Sequence, residues 1–338
     1  MRLTDLQTEY FNIDKTPCVL YGDKNSKKAV LYVHGLCGNK EEAERFARLA
    51  VLHSFCVIAF DLPEHGGRTD EAKLVPWETV PEIKNVYDYA AKNRKVYLRT
   101  ESVGTYFSLL ALAGEKIEKC LFVSPLTDMV GMINGMLAAA KADLNRLEKE
   151  KNIVIGNQII SWDYYVYAKN HKVGGLAKDT LIVYSSPDYV VGEQSIQKFA
   201  RDTNATAVEM AGGEHYFYTP KQLAFLEKYE RLWLGGEVNA ESNVGLKIGG
   251  VSAQEYGEAR ILFLNLEKIH TTEGGVARIK CNLKLGDGVD AVEYCKRLIC
   301  DRNAKDRFAG KNLYIALGGE EITLNRSSYT IITAKGEK

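Results

Sequence analysis

Apolar residues recur along the first two-thirds of this chain in short unbroken runs. Between the runs they fall at helical spacing. Ala29-Val30-Leu31-Tyr32-Val33, Cys56-Val57-Ile58-Ala59-Phe60, Cys120-Leu121-Phe122-Val123 and Leu181-Ile182-Val183-Tyr184 have strand length. Runs of this kind suit strands covered on both faces, as in a parallel sheet. Helical patterns follow over 41–53, 80–91, 103–114, 194–202 and 221–233. Residues 8–13 and 17–21 alternate around Asp14-Lys15 and predict an antiparallel hairpin leading into the sheet. Ala207 to Met210 is the last strand of the series. Alternation of strand, loop and helix implies crossover connections, hence an α/β, doubly wound, mostly parallel sheet.

The rhythm breaks at about 125–179, which carries Met129, Met132, Met136, Trp162, Tyr164, Tyr165 and Tyr167. An insertion after a strand's C-terminal end lies over the crevice where such sheets bind ligands. This stretch is therefore expected to be a helical lid, with Met132, Met136 and Trp162 as residues facing substrate. The competing reading is that the methionines and aromatics pack the insertion's own small core. Residues 236–244, Gly-Glu-Val-Asn-Ala-Glu-Ser-Asn-Val in the main, have linker composition and no periodicity. They divide a first domain, 1–235, from a second, 245–338. The second reads helices first (254–270, 271–283, 291–300) and strands last (312–316, 321–324, 329–333), an α+β order.

Composition narrows the class. The 338 residues favour two domains over one. Lys plus Arg equals Asp plus Glu at 44 each, so no global charge draws the chain to nucleic acid or an anionic membrane. In the second domain Arg278, Lys280, Lys284, Lys296, Arg297 and Arg302 are interleaved with acids, the pattern of a solvated mixed face. Seven cysteines, with no C-x-x-C, favour reduced thiols and a cytoplasmic setting. No signal-like run opens the chain and no apolar stretch reaches the roughly 20 residues that span a bilayer. Neither monomer nor homodimer is excluded.

Candidate chemistry centres on Thr100-Glu101-Ser102-Val103-Gly104, where a strand meets a helix. A serine on such a turn exposes its hydroxyl beside the first free amides of the helix. Nucleophilic use also needs a base, an acid that orients it and donors for the oxyanion. His215, in Gly-Gly-Glu-His after the last strand, is the candidate base. Asp188, after Ser185-Ser186-Pro187, is the candidate acid, with Asp128 and Glu193 as rivals. Ser102, Asp188 and His215 each follow a predicted strand's C-terminal end, so all three project to one rim. The oxyanion donors would be the backbone N–H groups of Val103 and of Leu36 in the His34-Gly35-Leu36 loop. His34 and His65 read as structural, and Cys37 as a small packed residue. No metal motif or phosphate-binding glycine loop occurs, so no cofactor is expected.

With VHGLCGNKEEA, DLPEHGGR, ESVGTYFSLL and GGEHYFYTPKQL in hand, residues 1–235 resemble the α/β-hydrolase superfamily, in particular small bacterial intracellular esterase-like members. The resemblance implies an esterase-type reaction on a small-molecule ester, with Ser102 as nucleophile, His215 as base and Asp188 as acid. Thr100 departs from the pattern, which has Gly there; the bulkier side chain is expected to narrow the elbow or displace the serine. The same triad would serve a thioesterase or an acyltransferase. A catalytically weak scaffold binding a partner through the second domain is the alternative of a different kind. Residues 245–338, with IHTTEGGVARIKCNL, DAVEYCKRLI and GKNLYIALGGEEITLNRSSYTIITAK, resemble a small bacterial domain of unknown function.

Overall fold

A computed structural model describes residues 6–155, 158–235, 247–248, 251–252, 268–286, 288–299, 304–309, 311–325 and 328–336. The backbone divides into two compact units, the first running to Gln254 and the second mainly Glu255–Lys338. The expected linker, 236–244, and most of the expected helix 254–270 lie outside the described residues.

The first unit opens with the antiparallel hairpin β1 (Thr8–Ile13) and β2 (Thr16–Tyr21). Then come β3 (Lys28–Val33), α1 (Ala43–Ala50), β4 (Phe55–Phe60), α2 (Pro76–Ala91), β5 (Lys95–Glu101), α3 (Val103–Ala111) and β6 (Cys120–Val123). The insertion follows, and the series closes with β9 (Thr180–Ser186), α7 (Glu193–Thr203), β10 (Thr206–Ala211) and α8 (Pro220–Leu234). The eight strands are ordered β1-β2-β4-β3-β5-β6-β9-β10. From β4 through β10 every pairing is parallel. The continuous apolar runs are accounted for by this arrangement: Ala29 to Val33 and Cys56 to Phe60 are at most 3% exposed. Alternate side chains feed two cores. One lies against α2, α3 and the insertion; the other lies against α1 and α8.

Helix α2 starts four residues before the expected Val80. Pro76 stands at its first position, where a missing N–H costs nothing, and the helix continues through Pro81. The insertion is only partly helical. Helices α4 (Met129–Ala139), α5 (Leu144–Glu150) and α6 (Trp162–Asn170) are joined by an unexpected two-stranded sheet, β7 (Asn152–Ile155) and β8 (Gln158–Ser161). The runs NIVI and QIIS, rich in β-branched residues and separated by Gly-Asn, carry the sequence signal for two paired strands.

A short antiparallel pair, β11 (Lys247–Ile248) and β12 (Val251–Ser252), follows. In the second unit α9 (Glu273–Asn282) is capped by Thr272, whose Oγ accepts from Gly275 N–H at 3.1 Å. Helix α10 (Ala291–Ile299) precedes the antiparallel sheet β13 (Lys305–Ala309), β14 (Asn312–Leu317), β15 (Glu320–Asn325) and β16 (Thr330–Lys335). Ile279, Cys295, Ile299, Leu313, Ile322 and Leu324 form a core of its own. Strand β13 lacks a clear apolar alternation and was not anticipated.

Candidate active site

Strand β5 runs into α3 through Ser102, whose backbone sits at φ 51°, ψ −124°. A non-glycine residue in that region carries strain of about 1–3 kcal/mol and persists only where its surroundings enforce it. Here they do. Ser102 N–H donates to Val123 C=O at 3.0 Å, and Leu126 N–H donates to Ser102 C=O at 3.1 Å. Gly104 lets α3 approach the end of β3, because a Cβ there would stand 2.3 Å from His34 O and 3.0 Å from Val33 O. Thr100 is fully buried, and its hydroxyl pairs with that of Thr105 at 2.7 Å. The side chain that departs from the familiar pattern is thus absorbed beneath the elbow.

His215 lies in the turn between β10 and α8. Gly213 lets this turn pass close to β9, since a Cβ there would meet Ser185 Cβ at 2.9 Å. The imidazole Nε2 is 2.9 Å from Ser102 Oγ, and Nδ1 is 2.7 Å from Asp188 Oδ2. The second carboxylate oxygen of Asp188 accepts from Val190 N–H at 2.9 Å and Val191 N–H at 3.1 Å. Burial pushes this carboxyl up, but the His215 hydrogen bond and charge and these two amides outweigh it and hold it below its ordinary value. An ionised Asp188 keeps the proton on Nδ1, which turns the basic lone pair of Nε2 toward the serine. All three residues are 4–6% exposed. The rivals for the acid are engaged elsewhere: Asp128 caps α4 through Gly131 N–H at 2.8 Å, and Glu193 accepts from Ser186 Oγ at 2.7 Å.

The loop carrying Leu36 is braced by two histidines. His34 Nδ1–H donates to Gly35 C=O at 2.8 Å, and its Nε2 accepts from Leu62 N–H at 3.1 Å. His65 Nδ1–H donates to Pro63 C=O at 2.7 Å, and its Nε2 accepts from Cys37 N–H at 3.0 Å. Both rings are thereby set as neutral tautomers that staple the His34–Lys40 and Asp61–Arg68 loops together. Asp61, fully buried, accepts from Lys40 N–H, Lys40 Nζ and Gly67 N–H, each at 2.8 Å. Tyr216 O–H donates to Leu36 C=O at 3.2 Å, which links the oxyanion-loop candidate to the residue after His215. Val103 opens α3 directly after the serine.

Ser102, Asp188 and His215 are therefore brought together, with Leu36 and Val103 on adjoining segments. Met132, Met136 and Trp162 are half-buried and pack on the larger core; Trp162 stacks on Tyr165 with ring centres 5.5 Å apart. Sequence reasoning missed Ser124, Tyr216, Thr105 and Asp61 as supports of the site. Only Asp61, at a strand end before a glycine-rich turn, carried a local signal.

Among the described residues no cluster of His, Cys, Asp and Glu has the makings of a metal site, and no helix is long and apolar enough to cross a membrane. The six described cysteines are free thiols.

Residues 263–335 match a family model described as a protein of unknown function, DUF3781. No curated protein matches the chain in sequence. Among solved structures, a protein of Agrobacterium vitis S4 provisionally named a hydrolase superposes with a TM-score of 0.57 at 13% identity, covering 68% of this chain and 99% of that one. Alpha/beta hydrolase domain-containing protein 10 from mouse gives 0.52 at 14% identity, covering 65% and 95%. Est1E from Butyrivibrio proteoclasticus gives 0.51 at 19%, covering 62% and 90%. By its strand order and by these likenesses, the first unit of the chain has the α/β-hydrolase fold.

Proposed function

We propose that the first unit is a serine hydrolase of carboxylic esters, acting on a small molecule through an acyl-Ser102 intermediate. The observation that carries this reading is the hydrogen-bonded chain Ser102 Oγ, His215 Nε2, His215 Nδ1, Asp188 Oδ2 at 2.9 and 2.7 Å. The scaffold alternative would be favoured by a serine–histidine separation above about 4 Å together with a pocket filled by side chains.

As Ser102 Oγ attacks the ester carbonyl, His215 Nε2 takes its proton. Asp188 stabilises the imidazolium without accepting that proton. The N–H groups of Val103 and Leu36 bind the oxyanion of the tetrahedral intermediate, each worth about 3 kcal/mol in such a role. Collapse breaks the ester C–O bond, and the leaving alkoxide takes the proton from His215. Water then attacks the acyl-serine with His215 as base, which releases the carboxylic acid and restores Ser102. Helix α4 of the insertion carries no charged residue, which favours small or medium uncharged acyl groups. Met132, Met136 and Trp162 are the candidates for shaping that choice. A thioester or a non-water acceptor would use the same steps, and a panel of oxygen and sulfur esters, with and without added alcohols, discriminates them.

The test is covalent labelling by a fluorophosphonate probe. Wild type is expected to label, and Ser102→Ala to lose both labelling and ester turnover, the latter by at least about a thousandfold. Equal labelling of the two proteins, or none of wild type, rejects the reading. The second domain has no role in this scheme.

A further inference from the structure

Ser124 stands immediately after β6 and is fully buried. Its backbone φ is +43°, in the left-handed region. A glycine adopts that conformation freely, whereas a side chain there adds strain. What the side chain supplies is one hydrogen bond: Ser124 Oγ–H donates to the backbone carbonyl of His215 at 2.6 Å, across 91 residues of chain. Its own N–H donates to Val183 C=O at 2.9 Å. The residues around it hold the serine of the site, for Val123 C=O accepts Ser102 N–H and Leu126 N–H donates to Ser102 C=O. Three residues within the stretch 123–126 thus hold both main-chain groups of Ser102 and the main-chain carbonyl of His215. The path from nucleophile to base through this segment is a few hydrogen bonds long, although the two lie 113 residues apart in sequence.

We propose that Ser124 is a positioning residue for the base, its hydroxyl fixing the His215 backbone so that Nε2 meets Ser102 Oγ while Nδ1 stays on Asp188. The proposal rests on the serine-hydrolase reading only for its effect on turnover; the positioning itself is a property of the fold. The turn before His215 is braced through its glycines, Gly212 N–H donating to Ser186 C=O at 2.7 Å and Gly213 N–H to Met210 C=O at 3.3 Å, so the His215 backbone itself depends on contacts such as that of Ser124. A displacement of a reacting group by about 1 Å costs on the order of a hundredfold in rate. Tyr216 holds the same turn from its other side through Leu36 C=O, so loss of Ser124 is expected to loosen the turn and not to unfold it.

The experiment uses the full chain with Ser124→Gly and Ser124→Ala. The glycine variant removes the hydroxyl and accepts the backbone angle, so it is expected to melt as cooperatively as wild type. The first readout is the proton NMR signal of His215 Nδ1–H, in protein labelled with 15N-histidine and assigned by its loss in His215→Ala. It is expected to be sharp in wild type and broadened or lost in the folded Ser124→Gly protein. The second readout is hydrolysis of p-nitrophenyl acetate, where kcat is expected to fall about 10- to 100-fold with KM unchanged within twofold. A sharp, unshifted signal in Ser124→Gly, or kcat equal to wild type, overturns the proposal. If wild type hydrolyses no ester but the signal still depends on Ser124, the hydrolase reading falls and the positioning role stands.

Discussion

Ser102 carries its strain because its neighbours are bonded on every side, and Thr100 belongs to that support. The Thr100–Thr105 hydroxyl pair at 2.7 Å lies fully buried under the elbow. Thr100→Val keeps the shape but strands the Thr105 hydroxyl, at a cost of about 1–3 kcal/mol. The double variant Thr100→Val with Thr105→Val removes both partners and is expected to recover most of that loss. Urea denaturation of wild type, the two single variants Thr100→Val and Thr105→Val, and the double variant measures the coupling, and additive losses would show that the pair does not interact. Asp188 gives a second prediction at this scale. Its folded-state pKa is depressed by the His215 ring and the two amides that face it. The stability it contributes is therefore present above the unfolded value of about 3.9 and lost as pH falls through the lower folded value. The gap in denaturation midpoint between wild type and Asp188→Asn is expected to be constant near neutrality, to begin closing below about 3.9 and to vanish as pH falls through the depressed folded value. A gap that persists undiminished to pH 2 would contradict the assignment.

Elements converge on the site through close approach as much as through hydrogen bonds. Helix α3 can stand against β3 only because Gly104 has no side chain; the nearest obstacle to a Cβ is backbone oxygen at 2.3 Å, which cannot swing aside. Gly104→Ala is expected to push α3 outward, lower stability by about 1–3 kcal/mol and abolish fluorophosphonate labelling. Labelling at the wild-type rate would show that the elbow tolerates the shift. Most elements were legible because strands buried on both faces read as apolar runs and the helices between them read as amphipathic stripes. The insertion was less legible. Its methionines and aromatics signalled burial but not the two-stranded sheet between α5 and α6, and its apolar content alone does not separate a substrate-facing lid from a packed one.

Across the whole first unit, charge is buried beneath the sheet as well as at its rim. Arg99 on β5, 2% exposed, bonds Glu101 at 3.2 Å and Glu230 of α8 at 3.2 Å, and Glu230 also takes Arg45 of α1 at 2.6 Å. The Arg99 guanidinium stands 4.4 Å over the Tyr32 ring. Two positive and two negative groups balance here, and they join the elbow strand to the helix that follows the His215 turn. Removing one partner leaves buried charge uncompensated, so Glu230→Ala is expected to cost about 3–5 kcal/mol, read as a lowered melting temperature. A loss under about 1 kcal/mol would mean that water replaces the carboxylate.

The alternation of strands and helices outside the insertion of the first unit, the two-unit composition and the types of residue at the strand ends are local properties, and the sequence by itself determined them. Periodicity records which faces are buried, and turn chemistry records where the chain reverses. It also supplied a serine, an aspartate and a histidine at strand ends, although nothing local separates Asp188 from Asp128 or Glu193. Only the tertiary structure decided which carboxylate meets His215, that the Thr100 hydroxyl pairs with that of Thr105, and that Ser124 bonds the His215 carbonyl. Those outcomes depend on atoms 5 to 113 residues apart coming within hydrogen-bond distance. Three of these four bonds join residues 27 to 113 apart, beyond any local window, and the length of the Thr100–Thr105 pair is set by packing that no window contains.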